Sequence, residues 1–403
     1  MADKSSQAIL VAGAGIAGLT SAIALARAGF DVRLIERATR FEEIGAGLQL
    51  SPNASRVLIE LGLGAAVARQ AATPHDLAIR RLTSERVIAS MPMNNAQDRF
   101  DSPFWTILRA DLQTALIDAA RGERRIAFLV GRTLDDARST GNGVSVNVRT
   151  SSGGLERIEG SALIGADGLW SRVRPIVGEA AQPRYIGYEA WRALLPAADA
   201  PPDAMQDRVN LAMGRDAHLV HYPVAGGRLV NIVLVKKALS VRDDSRLGGW
   251  SAPGDPAELQ DIVKTMKGPM RDLVASVASW QTWSLFDLGP LATWSRDRIT
   301  IVGDAAHPTP PFLAQGAALA IEDAAILAQE AARTPEDFAG ALRRYADRRR
   351  ARAARVQRAS QANERNYHAR GLIAIARDLV IARLGGNGML RRYQWLYGWT
   401  PDS

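Results

Sequence analysis

The start of the chain carries the pattern that most restricts its fold. Residues 8–12 form a short apolar run typical of a buried parallel strand, and GAGIAG follows directly at residues 13–18. Small and apolar residues continue to Gly29, which ends a predicted helix, and Val32–Glu36 predicts a second strand. Strand, glycine triplet, helix and strand in this order predict a βαβ unit that binds the pyrophosphate of a dinucleotide.

The glycines of this unit have separate physical roles. Gly13 makes the tight turn, Gly15 lets the backbone approach a pyrophosphate, and Gly18 lets the helix pack closely on the strand. Glu36 stands at the end of the second strand, where a carboxylate can accept hydrogen bonds from both ribose hydroxyls of an adenosine. The unit by itself leaves open whether the dinucleotide is FAD or NAD.

The middle of the chain departs from a simple alternation of strands and helices. A glycine-bearing loop at residues 41–53 leads into a helix, and Arg109 begins another. Residues 126–163 predict an antiparallel meander inserted between parallel strands. Residues 187–287 contain short β-rich runs and one helix near residues 256–278, which predicts a separate sheet-based module.

The last third of the chain returns to the first pattern. Residues 299–302 predict a buried strand, and GDAAHP follows at residues 303–308. One helix is predicted after Ala314-Gln315-Gly316 to about Arg333, and a second from Pro335 onward.

Composition removes several classes of function. The chain has 403 residues, 47% of them hydrophobic and 23% charged, which is typical of a globular enzyme and not of a disordered chain. It has no cysteine, which excludes disulfides, iron–sulfur clusters and a cysteine nucleophile, and we predict no metal site. The first apolar run is too short for a signal peptide, and no long uncharged apolar run follows. We therefore predict a cytoplasmic protein without a membrane partner.

The net charge of +8 favours anionic ligands in general. Lysine is rare, and no basic motif interleaved with aromatic residues is present, so we expect no nucleic-acid partner. The expected anions are cofactor phosphates and small acids.

Three motifs, in this order and spacing, resemble those of the single-component FAD-dependent aromatic hydroxylases, the family of 4-hydroxybenzoate and salicylate hydroxylases. They are GAGIAG with Glu36, GADGLWSRVR at residues 165–174, and GDAAHPTPPFLAQGAALAIEDA at residues 303–324. EIGAGLQLSPNASR at residues 43–56 and HLVHYPVAGG at residues 218–227 resemble the salicylate, 3-hydroxybenzoate and 6-hydroxynicotinate branch. The resemblance covers nearly the whole chain.

The fold that this resemblance implies is α/β (α+β overall). It has a Rossmann-like FAD-binding domain with a parallel sheet and an inserted antiparallel meander, a smaller β-sheet substrate domain and a C-terminal helical segment. We assign residues 1–75, 101–180 and 288–335 to the FAD-binding domain, 76–100 and 181–287 to the substrate domain, and 336–403 to the helical segment.

The resemblance also implies tightly bound FAD. Asp304 would bind a ribose or ribityl hydroxyl, Arg109 would reach the ribityl and phosphate region, and Asp167 with Gly168 would lie near the cofactor. The helix start at residues 314–316 would face the N1 and O2 edge of the reduced ring, where free N–H groups and the helix dipole stabilise an anion. The predicted FAD-binding residues are Gly13, Gly15, Ile16, Ala17, Gly18, Glu36, Arg37, Gly47, Arg109, Val130, Asp167, Gly168, Gly303, Asp304, Pro311, Ala314, Gln315, Gly316 and Ala317.

Two polar side chains of the middle module form the candidate catalytic pair. Side chains alternate along a strand, so His218, Val220 and Tyr222 share one face while His221 points the opposite way. The resemblance implies that Tyr222 contacts the phenolic oxygen of the substrate. It implies His218 as the proton acceptor or relay, with a pKa near the free value of about 6.5. The predicted substrate-binding residues are Gln49, Val220, Pro311 and Phe312.

The implied reaction is a hydroxylation. NADH or NADPH would reduce the flavin, O2 would add at C4a to give a hydroperoxide, and this species would hydroxylate a phenolic or carboxylated aromatic substrate. Two alternatives stay open: an FAD enzyme acting on a C–C bond without oxygen transfer, and a non-enzymatic flavoprotein or NAD-binding scaffold. Phe312 and Gln49 differ from the hydroxynicotinate branch, which leaves a benzoate, a phenol or a larger aromatic as the expected substrate. The hydroxylated carbon and the choice of NADH or NADPH are left open.

Two further expectations concern the C-terminal half. Arginines cluster between residues 343 and 370 on several phases of one predicted helix, so we expect a solvated face or a subunit contact and not a ligand site. His307, next to a proline, is predicted to be a structural hydrogen-bonding residue and not a base. The resemblance implies a monomer or a homodimer.

Overall fold

The structure is a computed structural model that describes residues 8–40, 46–84, 86–202, 207–241 and 252–403. In chain order the strands are β1 (Ile9–Ala12), β2 (Val32–Glu36), β3 (Gly47–Leu50), β4 (Asp76–Arg81), β5 (Val87–Pro92), β6 (Trp105–Leu108), β7 (Ile126–Val130), β8 (Arg132–Ser139), β9 (Val144–Thr150), β10 (Leu155–Gly160), β11 (Ala162–Gly165), β12 (Arg184–Pro196), β13 (Arg208–Met213), β14 (Ala217–Val224), β15 (Leu229–Lys237), β16 (Ala252–Gly254), β17 (Trp280–Asp287), β18 (Ser295–Arg296) and β19 (Ile299–Ile301). The α-helices are α1 (Ile16–Arg27), α2 (Pro52–Glu60), α3 (Gly64–Ala68), α4 (Ala96–Phe100), α5 (Arg109–Gly122), α6 (Val173–Ile176), α7 (Gln260–Thr265), α8 (Pro269–Ala275), α9 (Gly316–Arg333), α10 (Phe338–Tyr367), α11 (Gly371–Arg392) and α12 (Gln394–Tyr397). The predicted loop at residues 41–53 is described from Ala46 onward, and its first five residues lie outside the described ranges.

A six-stranded sheet underlies the N-terminal unit, with strand order β18-β19-β11-β1-β2-β7. Every pair in it is parallel except β18 with β19. Both β1 and β11 are buried along their whole length, as expected for parallel strands covered on both faces. The predicted strand, helix and strand at the start of the chain are confirmed as β1, α1 and β2.

The predicted meander is shorter than the sequence indicated. The first of its expected strands, Ile126–Val130, pairs in parallel with β2 and belongs to the six-stranded sheet. Only β8, β9 and β10 form the antiparallel three-stranded sheet. A five-residue apolar strand fits either sheet, and periodicity alone cannot distinguish the two.

The middle module is an eight-stranded sheet with order β16-β17-β12-β15-β14-β13-β4-β5. Its pairs are antiparallel except β13 with β4. One face, which carries Leu219, His221 and Leu234, packs under α7 and α8, and we call it the helix-covered face. The other face carries Val220 and Tyr222 and packs against α9 and α10; we call it the cleft face.

The single helix expected near residues 256–278 is wrong. A 3-10 turn at Pro256–Leu259 leads into α7, and the chain then breaks before α8. Gly268 has a φ of +56° and Pro269 follows it as the first residue of α8. Proline is favoured at a helix start and cannot continue a preceding helix, which explains the break.

The C-terminal helices pack against the two larger sheets and α9. Here α10 begins at Phe338, three residues later than predicted, and α11 packs against β5. On its other side α11 exposes five large apolar side chains, Leu372, Ile373, Ile375, Leu379 and Val380. Within the described ranges, no helix combines the length and apolar character needed to cross a bilayer.

The domain boundaries predicted from the sequence stay a prediction. Strands from residues 76–92 and from residues 184–287 do share the eight-stranded sheet.

Candidate active site

The glycine-rich turn between β1 and α1 leaves no room for side chains at two positions. Gly13 has a φ of +104°, and a Cβ there would lie 2.5 Å from the carbonyl oxygen of Ala166. A Cβ on Gly18 would lie 1.8 Å from the carbonyl oxygen of Gly13. A Cβ on Gly15, in contrast, would meet nothing within 4 Å, so this stretch of backbone faces open space. The turn therefore offers bare backbone to a ligand, as a pyrophosphate requires.

The N-terminus of α1 adds hydrogen-bond donors to this turn. Gly15 caps the helix without a side-chain hydrogen bond, so the first-turn N–H groups, including those of Ile16 and Ala17, point outward. The Glu36 carboxylate stands beside them and accepts hydrogen bonds from the N–H of Ala14 at 2.7 Å and of Ala38 at 2.8 Å. Each of its oxygens keeps a second lone pair for a ribose hydroxyl.

Val130 and Arg37 lie next to Glu36 at the same edge of the sheet. Val130 is the register partner of Glu36 and is 37% exposed, although it is apolar. Arg37 is exposed directly after β2. Both positions border the end of the cleft where the predicted adenosine would lie.

The GDAAHP segment packs directly on this unit. Gly303 has a φ of +60°, and a Cβ there would lie 2.7 Å from the Cβ of Ala17. Asp304 follows, and its Oδ1 lies 3.9 Å from the position that a Cβ on Gly316 would take. The start of α9 therefore stands beside the Asp304 carboxylate. Asp304 is exposed to the cleft, but the protein atoms around it desolvate the carboxylate and raise its pKa, while His307, Arg109 and Arg174 oppose the rise.

The N-terminus of α9 is open in the same way as that of α1. Ala314 takes a left-handed conformation with a φ of +52°, and Gln315 precedes the helix without capping it through its side chain. The N–H groups of Gly316 and Ala317 thus lack intrahelical acceptors. This geometry suits the predicted contact with an electron-rich ring edge.

Arg109 supplies a cation to the cleft. Its backbone N–H donates to the carbonyl of Ala46 at 2.7 Å, which fixes the start of α5. Its Nε is buried and has no hydrogen-bond partner among the described residues. A buried guanidinium nitrogen without an acceptor fits an anionic cofactor group. Together with the two open helix starts, it makes the residues of this cleft fit FAD.

The second motif is used for structure as well as for the cofactor. Asp167 accepts hydrogen bonds from the Ser171 hydroxyl at 2.6 Å and from the N–H of Arg172 at 2.7 Å, so its carboxylate holds the start of α6. Gly168, with a φ of +78°, turns the chain beside it. Arg174, which the sequence-based site omits, is buried and donates to the carbonyl of Ala305 at 2.8 Å. It thereby ties the second motif to the third.

Asp323 is a second residue that sequence reasoning missed. Its buried carboxylate accepts hydrogen bonds from the N–H of Gly303 at 2.9 Å and from Arg349 Nε at 2.8 Å, and it lies 2.6 Å from His307 Nε2. The predicted structural role of His307 is confirmed by this pair. The adjacent Glu322 contacts Arg349 at 2.7 Å. Burial alone would raise the pKa of Asp323, but His307 and Arg349 outweigh it, so that pKa is lowered.

This network corrects the expectation for the arginine cluster. Arg349 is buried between two carboxylates of α9. Arg352 donates to the two carboxylate oxygens of Glu322 from its Nε and one terminal nitrogen, each at 2.6 Å. Arg344 and Arg348 contact the buried Glu330 at 2.9 Å and 2.7 Å. These arginines lie on several helical phases because they reach different carboxylates within the same chain.

Gln315 joins the third motif to the helix α2. Its side-chain amide donates to the Ser51 hydroxyl at 2.9 Å and accepts from the Asn53 amide at 3.1 Å. The Asn53 amide also donates to Glu322 at 2.6 Å. The predicted FAD-binding role of Gln315 therefore rests on its backbone, since its side chain is occupied by this network.

The cleft face carries the predicted catalytic pair. His218 and Tyr222 are 3% and 4% exposed, and Val220 between them is half-buried. The His218 ring lies 5.6 Å from the Phe312 ring, so the structure brings these two predicted residues together. Tyr222 belongs to the apolar cluster that includes Leu313.

Gln49 and Pro311 border this region from two sides. Gln49 is half-buried on β3, opposite Thr106 of β6. The first residue of β3, Gly47, donates its N–H to Asn231 at 2.8 Å, and Asn231 is the cross-strand neighbour of Tyr222. Pro311 is half-buried at the start of the turn that carries Phe312.

Helix α10 holds the Phe312 segment through three side chains that the sequence did not single out. The Gln357 amide donates to the Pro308 carbonyl at 3.1 Å, and the Ser360 hydroxyl donates to the Pro310 carbonyl at 2.7 Å. The Asn363 amide donates to the Phe312 carbonyl at 3.1 Å. These three polar residues follow one another at a spacing of three on an arginine-rich helix, and that spacing was the sequence feature that could have indicated their shared role.

Burial changes the titration of the catalytic pair. Burial and the neighbouring His368 lower the pKa of His218 well below the ordinary value, so the premise that it stays near the free value is wrong. Burial raises the pKa of Tyr222, although Arg192 opposes the rise. At neutral pH both groups are uncharged, and His218 can act only as a neutral proton acceptor.

Arg192 is a cleft residue that sequence reasoning missed. It stands on β12 in the same cross-strand row as Val233 and Val220, and therefore on the cleft face. Its guanidinium lies over the Trp283 ring at 4.9 Å, and its Nε has no hydrogen-bond partner among the described residues. Burial lowers its pKa, Tyr222 raises it, and Arg109 adds to the lowering. Two guanidinium groups thus approach the cleft.

Comparison with known proteins places this site in a family. Residues 6–360 match the family model described as an FAD binding domain. The chain is 36% identical over 393 residues to 3-hydroxybenzoate 6-hydroxylase 1 of Aquipseudomonas alcaligenes, covering 97% of both chains. The chain belongs to the FAD-dependent aromatic hydroxylases. It is also similar to 6-hydroxynicotinate 3-monooxygenase of Bordetella bronchiseptica, with 34% identity over 88% of this chain and 91% of that one.

Solved structures share the fold of this hydroxylase. Klebsiella pneumoniae HpxO, complexed with FAD and uric acid, superposes with a TM-score of 0.84 over 98% of this chain and 97% of that one, at 23% identity. A salicylate hydroxylase substrate complex gives a TM-score of 0.82 over 99% and 97%, also at 23% identity. The predicted α/β fold, with its parallel and antiparallel sheets and helical C-terminus, is confirmed.

Family membership also confirms the predicted chemistry. The protein is a flavoprotein monooxygenase that uses FAD, NAD(P)H and O2 to hydroxylate an aromatic ring. Oxygen transfer is favoured over the alternative of C–C bond reduction, because the similar curated proteins are hydroxylases and monooxygenases. The residue assignments within the site stay predictions.

Proposed function

We propose that this hydroxylase acts on a hydroxybenzoate, a phenol that also bears a carboxylate. The observation that carries the proposal is Arg192, a largely buried cation on the cleft face whose Nε lacks an acceptor in the described part of the chain. A carboxylate on the substrate would supply that acceptor, and a guanidinium binds a carboxylate with charge-assisted hydrogen bonds.

The other cleft residues fit the remainder of such a substrate. Tyr222 would contact the phenolic oxygen, and neutral His218 would accept the phenolic proton. Phe312 and Val220 are apolar and would keep water away from the reacting carbon. When bound, FAD supplies reduction by NAD(P)H and oxygen transfer from O2.

A substrate screen tests the proposed function. Purified holoenzyme is incubated with NADH or NADPH and with salicylate, 3-hydroxybenzoate, 4-hydroxybenzoate or phenol. We expect at least one hydroxybenzoate to stimulate NAD(P)H oxidation and to yield a dihydroxylated product, with or without loss of the carboxylate. Phenol, which lacks the anion, should stimulate far less. Equal stimulation by phenol would contradict the proposal.

Replacing Arg192 tests the carboxylate contact directly. We expect Arg192→Gln to raise the dissociation constant of the active hydroxybenzoate about 10- to 100-fold, since a hydrogen bond to a charged group contributes about 1.5–3 kcal/mol. Flavin content should not change. The matched control is Arg149→Gln, which removes a half-exposed arginine of β9 that pairs with Asp135. Lost flavin with unchanged substrate affinity would instead assign Arg192 to the cofactor.

We further propose that the protein forms a homodimer. The exposed apolar side chains of α11 favour the homodimer over the monomer, because contiguous apolar surface marks interaction sites. Sedimentation velocity of the wild type decides between the two states. We propose the domain boundaries given above, and limited proteolysis tests whether cleavage falls near them.

A further inference from the structure

Two buried histidines from distant parts of the chain contact each other at the edge of the catalytic pair. His218 Nδ1 on β14 lies 3.1 Å from Nε2 of His368, which follows α10. The two side chains are only 3% and 7% exposed. His368 is also stacked on Tyr188, with ring centroids 4.9 Å apart and planes 17° apart. Phe312 packs against both imidazoles. The pair is therefore held rigidly.

The contact fixes how protons are arranged on the two rings. The pKa values of both imidazoles are lowered, so at neutral pH each ring carries one proton, and the hydrogen bond between them needs one nitrogen as donor and the other as acceptor. His368 Nδ1 is buried and has no hydrogen-bond partner among the described residues, and we place the ring proton there because the contact with His218 uses the other nitrogen. His368 Nε2 then accepts from the Nδ1–H of His218. The nitrogen left to face a phenolic oxygen is His218 Nε2, an acceptor.

His368 also lies next to charged groups at the surface. Burial and Lys237 of β15 lower its pKa to about 4, Asp216 and the Glu364 carbonyl oppose that shift, and Arg370 adds to it. Asp216, just before β14, forms an ion pair with Arg370, and both side chains are about half exposed. The Glu364 carboxylate lies against the Tyr188 hydroxyl on the other side. His368 thus stands between the buried His218 and a solvated carboxylate.

We propose that His368 is a positioning residue that relays the phenolic proton from His218 to the Asp216–Arg370 ion pair and solvent. The O–H bond of the substrate breaks as His218 Nε2 takes the proton, while His218 Nδ1–H passes its own proton to His368 Nε2. His368 releases its Nδ1 proton toward Asp216 or water. Reprotonation of the product oxygen runs the same path in reverse and resets both rings, so no net charge accumulates. The inference rests on the proposed hydroxylation of a phenol.

The first test measures ionisation of a bound phenol and needs no turnover. Wild-type holoenzyme in its oxidised state is titrated with the active hydroxybenzoate at several pH values, and phenolate is followed by its absorbance. We expect His368→Gln, which keeps a hydrogen-bonding amide but cannot relay a proton, to move the pH midpoint of phenolate formation upward by about one unit or more. Hydroxylation should slow at least tenfold. The substrate dissociation constant should change less than twofold.

Two comparisons separate a relay from a structural role. His75→Gln is the matched control, because the His75 side chain is largely exposed and lies near Asp207, and it should behave as wild type. In His368→Ala, added imidazole should restore the rate, since a free imidazole can occupy the space and carry the proton. A wild-type phenolate midpoint and pH–rate profile in His368→Gln would overturn the proposal.

Asp216→Asn keeps the proposal testable if the His368 variants do not fold. It alters only a half-exposed side chain, and we expect it to raise the phenolate midpoint in the same direction by a smaller amount. An unchanged midpoint would count against the proposed exit.

Nitrogen-15 NMR of the substrate-free holoenzyme separates failure of the relay from failure of the proposed function. It should show protonated Nδ1 on both rings, with the His218 signal shifted in His368→Gln. If Nδ1 is protonated on both rings but no hydroxybenzoate is hydroxylated, only the substrate assignment is refuted. If Nε2 is protonated on both rings and a hydroxybenzoate is hydroxylated, only the relay is refuted.

Discussion

The two faces of β14 place histidines three residues apart in different physical settings. His218 lies on the cleft face and bonds a second histidine at 3.1 Å. His221 lies on the helix-covered face, is fully buried, and has no hydrogen-bond partner for either ring nitrogen among the described residues. Burial lowers the pKa of both, and for His221 the pKa falls to about 3, with Arg80 contributing. Position on the strand therefore decides whether a buried imidazole can exchange a proton or only adds a polar group to the core.

The largest effect should come from the cleft face. We expect Tyr222→Phe to lower the hydroxylation rate about 10- to 100-fold, because it removes a hydrogen bond to a phenolic oxygen that becomes charged. Flavin content and melting temperature should stay close to wild type, since the phenyl ring keeps its place in the apolar cluster that includes Leu313. Single-turnover oxidation of the reduced enzyme with substrate measures the rate. Tyr185→Phe, which removes a hydroxyl that donates to the Ala238 carbonyl, is the control. Unchanged coupled turnover in Tyr222→Phe would remove Tyr222 from the site.

The next effect concerns acid stability. The unfolded chain protonates His221 near pH 6.5, whereas the folded chain resists protonation down to about pH 3. Lowering the pH from 6.5 to 5 therefore favours the unfolded chain, by about 2 kcal/mol for this one group. Urea unfolding at the two pH values should show that His221→Leu loses about that much less stability than wild type. Parallel losses in the two proteins would show that His221 has the same pKa in the folded chain as in the unfolded one.

The smallest effect is expected for the same variant at neutral pH. Replacing a buried imidazole that lacks partners by an apolar side chain removes a desolvation cost, so His221→Leu should stabilise the fold by about 1 kcal/mol or less. Hydroxylation should be unchanged, because the side chain faces α7 and α8 and not the cleft. A loss of more than 2 kcal/mol, measured by urea unfolding, would mean that the ring makes essential polar contacts.

Features encoded within a few residues were predictable from the sequence. The turn at Gly13 and Gly18 follows from spacing alone, since bulkier residues would collide with the Ala166 and Gly13 carbonyls. The common face of His218 and Tyr222 follows from the two-residue period of a strand. The break before α8 is also encoded locally, by the Gly268-Pro269 pair.

Features that depend on pairing between distant segments were not predictable. Arg192 reaches the cleft face only because β12 pairs with β15, and β15 with β14. His368 meets His218 across 150 residues of chain, and no local pattern indicates that contact. The arginines of α10 had a partial signal in Glu322 and Asp323, two acids within an apolar stretch of α9 that require buried cations.

The anchoring of the 308–312 segment by Gln357, Ser360 and Asn363 limits how this enzyme can be re-engineered. Phe312 lies on one stretch of chain, but its height above the sheet is set by another stretch about 50 residues later. A chimera that exchanges α10 between two hydroxylases would displace Phe312 unless both stretches came from the same parent. Transplanted substrate preference should therefore follow the pair of segments, and neither one alone.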